Sequence, residues 1–126
     1  MNRNRWPIED VPDPDILFMR AHKIHFKKDT GELKPSFFKD HGDSMSSNWN
    51  KYCLTPEEAR RKAKIPEENA VIQFVVGSVR SIPLTVTHAP DYDRQDRSHT
   101  DIKGEKTSEV RLKLLELTEC VIPLGK

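Results

Sequence analysis

The sequence predicts an α+β fold: a single small domain with a mostly antiparallel sheet and two helices. Three observations carry that expectation. Apolar residues gather in a few short runs bounded by turn-forming residues, as strands do. One stretch, Leu54 to Pro66, holds a full set of helix start and stop signals. A chain of 126 residues can form one modest core, burying roughly two-thirds of its unfolded surface.

Residues 1–15 hold three prolines and four acids. They read as an extended arm, with Trp6 as its candidate anchor, and 16–126 as the domain. "ILFMRAHKIHF", Ile16 to Phe26, is dense in apolar and aromatic residues and predicts a long strand. Asp29-Thr30-Gly31 is a turn. Leu33 to Phe38 reads as a short second strand or extended edge, because Pro35 lacks the N–H a central strand needs. "KDHGDSMSSNWNKY" reads as a polar loop.

The spacing then predicts a helix over 55–64. Thr55 can cap, Pro56 takes the first helical position and Glu58 completes a Thr-x-x-Glu box. Arg60, Arg61, Lys62 and Lys64 load the end where the helix dipole is negative, and Pro66 stops the helix. Val71 to Val79 is the most apolar run and predicts a central strand; Leu84 to His88 alternates and predicts another. After the charged stretch Asp91 to Lys106, Val110, Leu114, Leu117 and Val121 share a helical stripe, which predicts a helix over 107–118. Glu109 to Leu114 also alternates strictly, so a strand stays open there. A brief strand at Val121 follows.

The totals exclude several classes. Hydrophobic residues make up 35%, charged residues 33%, and 21 bases against 20 acids leave a net charge of +1. Proteins that coat nucleic acid carry a clear basic excess, and this chain does not. Cys53 and Cys120 form neither a CxxC pair nor a disulfide framework. No apolar run nears the ~20 residues of a membrane span, and the first fifteen residues hold no signal-peptide core. A soluble cytoplasmic protein is expected, with no membrane association. No G-x-x-x-x-G-K-S/T, G-x-G-x-x-G, G-x-S-x-G or H-E-x-x-H string occurs, and no histidine opens the His-x-Thr/Ser pair of a two-histidine phosphoesterase. His88, Asp91, Asp93 and His99 are ligand types, but their spacing matches no metal motif; neither metal nor cofactor is expected.

Candidate site residues come from two segments. Period two along the first strand puts Arg20 and His22 on the face of Phe18, Ile24 and Phe26. An arginine placed mid-strand needs a carboxylate partner or lines a pocket, and its planar fork suits phosphate or carboxylate. In "DYDRQDRSHTDIKGEK", His99 is the candidate general base, with Asp96 or Asp101 to orient it. Arg97 and His88 are candidate ligand contacts. Arg97 with Arg94, Lys103 and Lys106 gives four positive charges, three of them offset by Asp96, Asp101 and Glu105, as in an ordinary solvated turn. Ser46 and Trp49 complete the set, Trp49 either offering its ring to a base or peptide or folding back onto the core. Arg60, Arg61, Lys62 and Lys64, joined with Arg20 to Lys28, would make a strip for nucleotide or nucleic acid if they share a side.

A strand arginine (Arg20), a serine-rich segment (Ser46) and then a helix, over about the first half of the chain, are loosely similar to the start of NAD-consuming ADP-ribosyltransferase-like domains. The resemblance implies ligand contacts at Arg20 and Ser46; that family's late glutamate motif is not identifiable. Three functional expectations follow. The first is a small bacterial accessory or binding protein that meets a protein partner through the surface of Arg20, His22 and the 88–103 loop. The second is a small enzyme acting on a nucleotide or nucleic-acid phosphodiester, or on an NAD-type ligand, with His99 as base. The third is a nucleic-acid-binding partner.

Overall fold

Six antiparallel strands form the centre of the computed structural model, which describes residues 6–125. They are β1 (Ile16–His22), β2 (Met45–Trp49), β3 (Asn69–Val75), β4 (Thr85–His88), β5 (His99–Lys103) and β6 (Glu119–Ile122), in the order β4-β5-β2-β1-β3-β6. Three helices accompany them: α1 (Pro56–Arg61), α2 (Val76–Arg80) and α3 (Ser108–Leu117). The fold is α+β.

The two expected helices form where their signals lie. Thr55 Oγ1 accepts from the Glu58 N–H at 3.2 Å, and the Glu58 carboxylate accepts in turn from the Leu54 N–H. Thr107 caps α3 by accepting from the Val110 N–H at 3.1 Å. Of the expected stripe on α3, Leu114 is fully buried and Val110 packs against the core. Leu117, 36% exposed, does not join it, and Leu115 does.

Four expectations about strands need correction. The first strand ends at His22 rather than Phe26, because His22 Nδ1 accepts from the Ile24 N–H and turns Lys23–His25 into a 3₁₀ turn. Leu33 to Phe38 is not a strand: Leu33 makes a single bridge to Phe26, and Pro35–Phe37 is a 3₁₀ turn. The third apolar run leaves the sheet at Val75. There the N–H groups of Val76 and Gly77 find the carbonyls of Asp15 and Asp13, and this supply of acceptors starts α2. Finally, both segments read as polar loops contain a strand. Met45–Trp49 is bonded between β1 and β5, and His99–Lys103 between β2 and β4. Serine, asparagine and aspartate have little strand preference, and pairing on both sides overrides it.

The sheet has two unlike faces. Leu17, Met19, Ala21, Met45, Trp49, Ile72, Phe74, Val86 and Ile102 belong to the main core, with α2, α3 and Phe38. On the other face, α1 covers a smaller cluster of Phe18, Cys53, Ala59, Val71 and Ile122. Arg20 and His22 therefore lie on the minor face, and Ile24, 65% exposed, belongs to neither core. The rest of that face, from Arg20 to Asp101, is polar.

Residues 6–15 lie along the body. Val11 is buried, and Arg80 Nη1 donates to its carbonyl at 2.7 Å and to Asp13 Oδ1 at 2.6 Å. Trp6 stacks on Tyr92 with ring centroids 5.6 Å apart. No helix among the described residues is long and apolar enough to cross a membrane.

Candidate functional site

A cleft of about 330 Å³ opens on the polar face, where two central strands part. β1 pairs with β3 along its whole length and β2 pairs with β5 from Met45 to Asn48. Between themselves, β1 and β2 are joined only at Leu17↔Trp49 and Phe18↔Asn48. Beyond that point the sheet splits, with Arg20 on one lip and Ser46 on the other. Main-chain polar groups alternate sides along a strand. Asn50 N donates to Ile16 O, so the even residues of β1 turn toward β2. Trp49 N donates to Ser98 O, so the even residues of β2 turn toward β1. The peptide groups of Arg20 and Ser46 thus face each other across the opening.

Arg20 is half-buried in this split. Its Nη1 donates to Asn48 Oδ1 at 3.3 Å and to the Ala59 carbonyl at 3.1 Å. No carboxylate among the described residues lies within ion-pair distance of it. Burial lowers its pKa, an effect opposed by the charge of Asp96, yet a guanidinium stays charged throughout. Asn48 is itself held from the far side, its Nδ2 donating to Asp96 Oδ2 at 3.0 Å and Ser98 Oγ at 2.9 Å.

Burial alone would raise the Asp96 carboxyl. The Ser98 hydroxyl and N–H, together with the Lys62 ammonium at 3.4 Å, outweigh it and hold the group below the usual carboxylate range. Asp96 is accordingly an anchored anion. It also does not orient His99: its side chain is committed to Asn48, Ser98 and Lys62. His99 is held instead by the Ala89 carbonyl, 2.8 Å from Nδ1, with Asp101 Oδ1 3.9 Å from the same nitrogen. Its other nitrogen meets Ser46 Oγ at 3.1 Å.

Of the expected site residues, Arg20, Ser46, Asp96 and His99 line one cleft, with Lys62 and Arg94 beside them. His22 lies in an adjoining groove with Lys64 and Ile65, bound to Glu68 at 3.1 Å. Three others are elsewhere. Trp49 is 1% exposed in the main core and donates to Asp15 at 2.8 Å. His88 is buried against it, accepting from the Glu9 N–H at 3.1 Å and donating to the Arg97 carbonyl at 2.7 Å. Arg97 lies over the Tyr52 ring, 4.2 Å from its centroid, and pairs with Glu9. These three build the platform on which the arm rests, and they do not reach the cleft.

The basic strip also divides. Arg60 points inward to the carbonyls of Pro66 and Asn69, and Lys62 turns to Asp96. No three His, Cys, Asp or Glu side chains gather as a metal site among the described residues. Asn48 is the contact that sequence reasoning missed. Its signal was the alternation Ser44, Ser46, Asn48, which carries information only once that segment is known to be a strand. Compared with family models, curated proteins and solved structures, the chain finds no match.

Proposed function

We propose that the protein is a small cytoplasmic binding module whose cleft takes a phosphate-bearing ligand of the nucleotide class, NAD-type dinucleotides included. One observation carries this reading: Arg20 holds a full positive charge in a half-buried position with two neutral acceptors and, among the described residues, no carboxylate within ion-pair distance, Asp96 acting on it only from behind Asn48. A buried cation without a counter-charge is costly, and a ligand phosphate would supply it through the bidentate geometry that guanidinium favours. Lys39 adds positive charge at the same opening, where Lys62 and Arg94 are paired with the lining carboxylates Asp96 and Asp91, and its volume is that of a small-ligand site. Arg20 and Ser46, the positions shared with the start of ADP-ribosyltransferase-like domains, are the two lips of the split. Two unpaired cysteines, one of them exposed, suit a reducing compartment.

The cleft favours a small ligand over a coating of nucleic acid, because Arg60 and Lys62 are turned away from a shared outer strip. Calorimetric titration with ADP and with NAD tests the proposal. Binding that disappears in Arg20→Ala, with a melting temperature that climbs with ligand concentration in the parent protein, is the expected result. Absence of both heat and thermal shift at millimolar ADP and NAD would remove this reading.

A further inference from the structure

We infer that Ser46 is a nucleophile and His99 its general base, so that the cleft transfers a phosphoryl group from a phosphate ester to water. This rests on the phosphate-binding reading above. The roles of the two ring nitrogens follow from their partners. Nδ1 lies 2.8 Å from the Ala89 carbonyl, which can only accept, so Nδ1 carries the proton. Nε2 is left with its lone pair, and the Ser46 hydroxyl, 3.1 Å away, donates to it. A serine nucleophile needs this order: its proton aimed at a free imidazole nitrogen, the other nitrogen held by a third group.

Two further features suit the role. Asp101 Oδ1, 3.9 Å from Nδ1 and fixed by the Ser44 hydroxyl at 3.0 Å, places negative charge where an imidazolium would form. The three residues also sit on strands rather than on loops. The register Ser46↔Asp101 and Asn48↔His99 makes Ser46 and His99 diagonal neighbours on one face, so the sheet sets their distance. Ser46 is exposed in the cleft that Arg20 lines. A phosphate on Arg20 would occupy the same cleft as the hydroxyl.

The chemistry balances with water as the only co-reactant. Ser46 Oγ attacks phosphorus and the bond from phosphorus to the ligand's alcohol oxygen breaks. The hydroxyl proton passes to His99 Nε2 and on to the departing oxygen, leaving a phosphoserine and an alcohol. Water then attacks the phosphoserine, the Oγ–P bond breaks, and His99 moves a water proton to Oγ as inorganic phosphate leaves.

The test treats the full chain with a fluorophosphonate, a phosphorus electrophile that forms an Oγ–P bond and expels fluoride. The expected result is one adduct per chain, mapped by mass spectrometry to Ser46. His99→Gln should label at least ~100-fold more slowly, the usual scale of general-base assistance, and Ser46→Ala should not label there. The wild-type mapping and the His99→Gln rate keep the test decisive even where Ser46→Ala folds poorly. A protein that binds ADP but takes no label on Ser46, or labels as fast in His99→Gln, overturns the nucleophile assignment and leaves the binding reading intact. Labelling at Ser46 without ADP binding supports the serine–histidine pair and removes the phosphate reading.

Discussion

Two cations, the half-buried Arg20 and the buried Lys106, show how differently one charge type is used. Lys106 has a side chain only 3% exposed, and its ammonium donates to Asp40 Oδ1 at 2.7 Å, Gly104 O at 2.6 Å and Ile102 O at 3.4 Å. Its three donors are all taken, so it ties the end of β5 to the segment before β2. Lys106→Met would strand a carboxylate and two carbonyls and should cost about 3 kcal/mol in urea denaturation; a loss under ~1 kcal/mol would contradict the pairing. Arg20 is the opposite case, a charge with no anion in contact with it among the described residues. Arg20→Met should leave stability unchanged within ~1 kcal/mol or raise it, because hydrophobic replacement of a buried charge is often neutral or stabilising. The same variant should lose ADP binding. A strongly destabilised Arg20→Met would mean that the guanidinium serves the fold and not a ligand.

At the scale of elements, local chemistry decided α1 and α3, and pairing decided β2 and β5. The two threonine caps and the first-position Pro56 are readable from neighbours a few residues apart, and α1 and α3 start where those residues stand. β2 and β5 could not be read this way. Ser46, Ser47 and Asn48 become strand because partners about fifty residues away bond them, Ser47 Oγ donating to Thr100 O at 3.0 Å and Asn48 Nδ2 to Ser98 Oγ at 2.9 Å. One glycine sets where β5 ends. Gly104 has φ +133°, and an added Cβ would lie 2.6 Å from Leu84 Cδ2. Gly104→Ala should therefore cost about 2 kcal/mol through backbone strain and the clash. Equal thermal midpoints for the two proteins would show that this turn relaxes freely.

Across the whole molecule, the N-terminal segment closes onto the face of the sheet opposite the cleft. Glu9 is the centre of that contact, bonded to Lys51 and Tyr52 and paired with Arg97, while its N–H donates to the buried His88. The hydrogen bonds from Lys51 and then Tyr52 lower its pKa to about 2. An unfolded glutamate titrates near 4.3, so the folded state binds this proton less readily. The resulting stability is complete above pH ~4.3 and is lost as pH falls toward about 2. Glu9→Gln should lack that segment of the pH–stability curve while matching the shape of the parent curve above it. Parallel curves for the two proteins between pH 5 and pH 2 would show that the docked arm owes nothing to this carboxylate.

The sequence by itself determined the α+β class, the starts of α1 and α3, and the apolar strands β1, β3 and β4, because caps, prolines and apolar runs act over a few residues. It also placed Arg20, Ser46 and His99 among the candidates, since their chemistry is unusual wherever they stand. Only the tertiary structure decided that β1 and β2 part beyond Phe18, that Asn48 and Lys62 enter the cleft, and that His88, Arg97 and Trp49 leave it for the arm. The reason is physical. Side-chain identity is local, whereas the gap between two strands and the face a residue joins are set by hydrogen bonds to segments far along the chain.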